Sequence, residues 1–110
     1  MKKLNLNQMH KLEKNVAFES REYFEKKISK MSSLQKESLF LRACKLGRLP
    51  LIKLFVENGV EPSIRDNLGI HQARGDDVRE YLASQKHVLN KLIKNKETRL
   101  YPVVMNDLFL

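Results

Sequence analysis

The side chains best equipped for chemistry in this chain are three histidines, His10, His71 and His87, a single cysteine, Cys44, and the adjacent carboxylates Asp76 and Asp77. Catalysis would need a nucleophile beside a base, two carboxylates sharing a pocket, or a cluster of metal ligands. The histidines stand far apart beside one cysteine, without metal-ligand spacing, so they read as surface or turn residues. Asp76-Asp77 reads as a helix cap, and the glycines fit no phosphate-binding loop. The expectation is a protein that is not an enzyme and uses no cofactor and no metal.

The chemistry left is that of association. The formal net charge is +8, and its distribution matters more than its sum. Residues 1–36 carry nine Lys/Arg against four Asp/Glu, residues 37–85 seven against seven, and residues 86–110 five against two. A neutral middle between basic flanks points to a partner with an acidic surface, and the expected partner is a protein. Nucleic acid is the alternative, because Lys86, Lys91, Lys94, Lys96 and Arg99 lie close together on one predicted helix, with Lys26, Lys27 and Lys30 in the other flank. It ranks second, since few aromatic rings are free to stack on bases and Tyr23 and Phe24 are of more use to a core.

The C-terminal segment is a second association candidate. Tyr101, Val103, Val104, Met105, Leu108, Phe109 and Leu110 make it mostly apolar, where chain ends are ordinarily polar. It either folds back over an uncovered helix pair or completes a homodimer.

These groups must be positioned by helices. Residues 8–31 place Met9, Leu12, Val16, Tyr23, Phe24, Ile28 and Met31 near helical spacing without Gly or Pro, which predicts one amphipathic helix capped by Asn5 or Asn7, with a Glu22–Lys26 pair along it. Ser32 and Gln35 stand in capping-box positions for a second helix, which ends at Leu46 before Gly47. A third helix over 49–58 stops at Gly59. Residues 60–69 read as a long turn or hairpin, and a last helix runs from Asp76 or Asp77 to about Arg99, ahead of Pro102.

At 110 residues this is one domain: a helical N-terminal cap over 5–33, a core over 34–84, and a C-terminal helix with its apolar tail over 85–110. No stretch approaches the roughly 20 apolar residues of a membrane span, and no apolar run follows Met1-Lys2-Lys3, so no membrane association and no Sec signal are expected. A lone cysteine suits a reducing compartment, the cytoplasm.

Residues 38–69 resemble one unit of the ankyrin repeat family. Ser38 stands at the opening Thr position, Phe40 at the Leu, Ala43-Cys44 at the paired alanines and Gly47 at the turn glycine. Leu51-Ile52, Leu54-Phe55-Val56, Gly59, Asp66 and Gly69 follow at unchanged spacing, whereas Leu39 replaces the family proline. Residues 70–84 resemble a degenerate capping repeat that lacks about three residues of the usual start before resuming at Gly75-Asp76-Asp77-Val78. The resemblance implies an all-α, antiparallel helical stack, with ankyrin-like helix-turn-helix units between non-repeat helical caps. It further implies a protein–protein interaction module, an adaptor, inhibitor or other regulator. Contacts would come from the hairpin tip, Glu61, Ser63, Ile64, Arg65 and Asn67, with Arg42, Lys45 and Arg48 alongside on the inner helix. Short proteins of this family are common among intracellular bacteria and their phages and viruses. A bacterial effector delivered by a non-Sec route, or a regulator of one, is therefore expected.

Overall fold

The residues that start and stop helices set the architecture. The structure, a computed structural model, describes residues 5–101. Its helices are α1 Leu6–Asn15, α2 Arg21–Glu25, α3 Ser33–Leu46, α4 Leu49–Glu57, α5 Ile64–Gln72, α6 Asp76–Ala83 and α7 Lys86–Lys94, with 3-10 turns at Ile28–Lys30 and Thr98–Leu100. The class is all-α, with no strand among the described residues.

Two capping boxes open the main helices. Asn5 Oδ1 accepts from the Gln8 amide at 2.8 Å while Gln8 Oε1 accepts from the Asn5 amide at 2.9 Å; Ser32 and Gln35 repeat the exchange at α3. Glycines close α3 and α4. Gly47 is left-handed (φ 75°), with Arg48 N–H reaching Ala43 O at 2.9 Å and Gly47 N–H reaching Cys44 O at 3.2 Å. Gly59 (φ 100°) ends α4 with the corresponding bonds to Phe55 O and Val56 O.

The chain reverses through Gly47-Arg48, so α3 packs on α4; α3 also lies between α1 and α5, and α4 meets α2. Phe24, Phe40, Phe55, Leu39, Leu51, Ile52 and Ile70 are fully buried between these helices, and each such side chain contributes roughly 1.5–3 kcal/mol on leaving water. Gly69 permits a close approach within the core: a Cβ there would stand 3.2 Å from the Phe40 ring and 3.3 Å from Cys44 Sγ. α7 completes the stack against α5 and α6.

Five expectations are corrected. The single helix over 8–31 is interrupted at residues 16–20, where Ser20 Oγ accepts from Tyr23 N–H and starts α2 afresh. The ion pairs there run from Arg21 to Glu25 and Glu57, instead of from Glu22 to Lys26. The turn after Gly59 is shorter than 60–69: Arg65, Asp66 and Asn67 form a left-handed turn (φ 51°, 52° and 66°), and right-handed helix resumes before Gly69. The last helix divides at Ser84-Gln85, where Ser84 Oγ and Gln85 Nε2 both donate to Tyr81 O. At the start of α6 the cap is Gly75, with Asp76 and Asp77 in the first turn. Of the apolar tail, Val103, Val104, Met105, Leu108, Phe109 and Leu110 lie outside the described residues.

Candidate functional site

The eight residues expected to bind a partner separate into free and engaged side chains. Arg42 and Lys45 are exposed on α3, and neither makes an ion pair or side-chain hydrogen bond among the described residues. Glu61 and Arg65 are also exposed. Arg48 is engaged: its guanidinium donates to Val16 O at 2.8 Å and Glu19 O at 2.7 Å, capping the C-terminal end of α1. Ser63 and Asn67 are buried and Ile64 is half-buried against the core, which corrects their expected place at an open hairpin tip.

The physical reason is α7. Asn67 Nδ2 donates to Val88 O at 3.0 Å, Lys91 Nζ to Ser63 O at 2.9 Å, and Asn95 Nδ2 to Asp66 Oδ1 at 3.3 Å. The turn is therefore covered from the C-terminal side by polar bonds. Lys91, counted in sequence among the free cations of the basic flank, is spent on this internal contact.

The free surface is instead one stripe of α3. Leu34, Ser38, Arg42 and Lys45 recur every three to four residues and are all exposed, while Leu39, Phe40, Ala43 and Cys44 on the opposite side are buried. Leu34 is 73% exposed, one of several exposed large apolar side chains that include Leu6 and Phe18. Arg74 joins the C-terminal end of this stripe: its backbone N–H donates to Cys44 O at 3.0 Å and its carbonyl lies against Gly47. It too is exposed and without an ion pair among the described residues. Two cations, Arg42 and Lys45, and one apolar residue, Leu34, thus ride on α3, and the backbone of Arg74 is joined to the end of that helix. Nothing in the residues of the stripe alone marked Leu34 or Arg74; α3 periodicity could have found Leu34, whereas Arg74 needed the tertiary contact.

Two polar clusters could be mistaken for active sites. Glu61 accepts from Ser63 Oγ at 3.1 Å and meets His87 Nδ1 at 3.1 Å, beside a pocket of about 360 Å³ lined by Val60, Pro62 and Lys86. Burial pushes the Glu61 carboxyl up, and the hydrogen bonds from His87 and Ser63 outweigh it and hold the group below the usual carboxylate range. The serine hydroxyl is buried and donates to the Glu61 carboxylate, so its O–H is engaged within the turn. In the second cluster His71 Nδ1 meets the Tyr101 hydroxyl at 2.6 Å and His71 Nε2 meets Glu97 Oε2 at 3.0 Å. Burial first, then Glu97, raises the Tyr101 hydroxyl against the opposing effect of Arg79, which keeps it protonated. This is a clasp between α5 and the segment after α7.

Cys44 is buried and its thiol is pushed up to about 12 by that burial, which makes it an unreactive core residue. Among the described residues no three His, Cys, Asp or Glu side chains converge as a metal site requires, and no helix is long and apolar enough to cross a membrane. No protein-family model, curated protein or solved structure matches the chain.

Proposed function

We propose that this chain is a non-enzymatic protein-interaction module, an adaptor or an inhibitor, that docks on the acidic surface of a partner through the exposed stripe of α3. The observation that carries the reading is the set Arg42, Lys45 and Arg74: exposed and without internal carboxylate partners among the described residues, with Arg42 and Lys45 on the exposed side of α3 and Arg74 joined through its backbone to the end of that helix. Cations left free on a rigid element are pre-organised for carboxylates on another molecule and speed encounter with it. Leu34 supplies apolar contact at the other end of the stripe. The ankyrin-like pattern over 38–69 supports the finer reading of a regulator, including an effector or a regulator of one.

A photo-crosslinking residue at position 38 tests this. An acidic protein should be captured from host extract through position 38, lost on joint Arg42→Glu and Lys45→Glu exchange, and absent with the crosslinker at the exposed position 80 of α6. Capture indifferent to charge reversal would overturn the reading. Capture of nucleic acid, weakening steeply with salt, would replace it with a basic nucleic-acid-binding regulator. A solution mass measurement decides whether a homodimer forms.

A further inference from the structure

A second concave feature lies in the N-terminal flank, independent of the α3 stripe. A groove of about 200 Å³ runs between α1 and the α2 region, lined by Gln8, Lys11, Leu12, Tyr23, Lys27 and Lys30. Lys11 comes from α1, and Lys27 and Lys30 come from the other wall. None of the three makes an ion pair among the described residues. Of the carboxylates on these elements, Glu13 lies 3.7 Å from His10 Nδ1 and Glu25 pairs with Arg21.

The remaining polar atoms decide what could enter. Gln8 Oε1 accepts from the Asn5 amide, and its NH2 group adds two donors. Tyr23 OH accepts from Asn15 Nδ2 at 2.7 Å, which leaves its own O–H to donate. The Lys27 ammonium is held 5.0 Å above the Tyr23 ring, ordered by the aromatic face and not by an anion. Donors therefore predominate in the lining, three of them ammonium groups. Three ammonium groups in one concavity also raise the local positive potential.

We infer that this groove is a binding site for a phosphate-class oxyanion, a phosphate monoester or pyrophosphate. Such a group has only acceptors, carries more than one negative charge, and offers several oxygens to donors arriving from two walls. Leu12 and Tyr23 give the floor an apolar surface for a small attached group. The volume lies below the roughly 300–1,000 Å³ typical of drug-sized sites, which favours a small ligand.

The experiment is NMR titration of the full chain at low ionic strength with inorganic pyrophosphate and, separately, adenosine monophosphate. Saturable shifts should be confined to the amides around Lys11, Tyr23 and Lys27, and Lys30→Gln, at an exposed position, should weaken binding about tenfold. Lys27→Gln should do the same, and Arg42→Gln should leave the affinity unchanged. Tighter binding of the nucleotide assigns the phosphate to a nucleotide, and equal or weaker binding assigns it to the free ion. Absence of saturation, shifts spread over all lysine-bearing surfaces, or an affinity indifferent to Lys30→Gln in a variant that melts like the parent would overturn the site.

Discussion

The centre of the molecule and its C-terminal arm end their helices with the same hydrogen bonds on different residues. Gly47 and Gly59 close α3 and α4; α7 closes with Glu97 N–H on Leu92 O at 2.8 Å and Lys96 N–H on Ile93 O at 3.1 Å, which places Lys96 in the left-handed region at φ 59°. Glycine enters that region freely, whereas lysine does so at a cost. In the centre the turn is written locally. In the arm it is imposed from outside, because the next residue, Glu97, is held by His71. The centre rests on apolar packing and the arm on side chains that bridge distant segments.

The contrast can be broken first at its strongest point. Phe40→Ala should cost about 3–5 kcal/mol in chemical denaturation, since the ring is fully buried between α3 and α5; a loss below about 1 kcal/mol would refute packing as what holds the centre. Gly69→Val should cost about 1–3 kcal/mol by crowding Phe40 and Cys44, read as a lower melting temperature. In the arm, Tyr101→Phe should cost only about 1 kcal/mol, the worth of one neutral hydrogen bond. Its pH signature is sharper. The folded state raises the Tyr101 pKa, so the contribution is complete below ~10 and is lost as pH rises through the folded value. The variant should therefore show a flatter alkaline stability profile. The smallest effect has the opposite sign: Lys96→Gly should stabilise the fold by roughly 0.5–1 kcal/mol, while alanine at Gly47 should destabilise it.

The same contrast explains what could be read in the sequence. Asn5 with Gln8, Ser32 with Gln35, Gly47 and Gly59 mark boundaries through bonds made within six residues, and the structure places helix ends at each of them. Phe40, Ala43, Cys44, Leu51 and Phe55, the positions of the ankyrin-like pattern, are buried. The interruptions at 16–20 and at Ser84-Gln85 carry neither Gly nor Pro, and polar side chains bonded to the local backbone create them. Ser20 was a usable cap signal within an otherwise continuous apolar pattern. The burial of Ser63 and Asn67 had no local signal, because it depends on α7 arriving from more than twenty residues away. Of the cations proposed for docking, Arg42 and Lys45 were named through the ankyrin resemblance and Arg74 was not.

Arg48 joins what would otherwise be separable parts. Its two hydrogen bonds span 32 and 29 residues and anchor the end of α1 to the α3–α4 turn. Local opening of that turn must release the Val16 and Glu19 carbonyls together with Gly47. The flank and the centre should accordingly exchange amide hydrogens as one cooperative unit, so that the protection of α1 follows that of α4. A neutral replacement of one surface-facing side chain would then uncouple the two without touching the core.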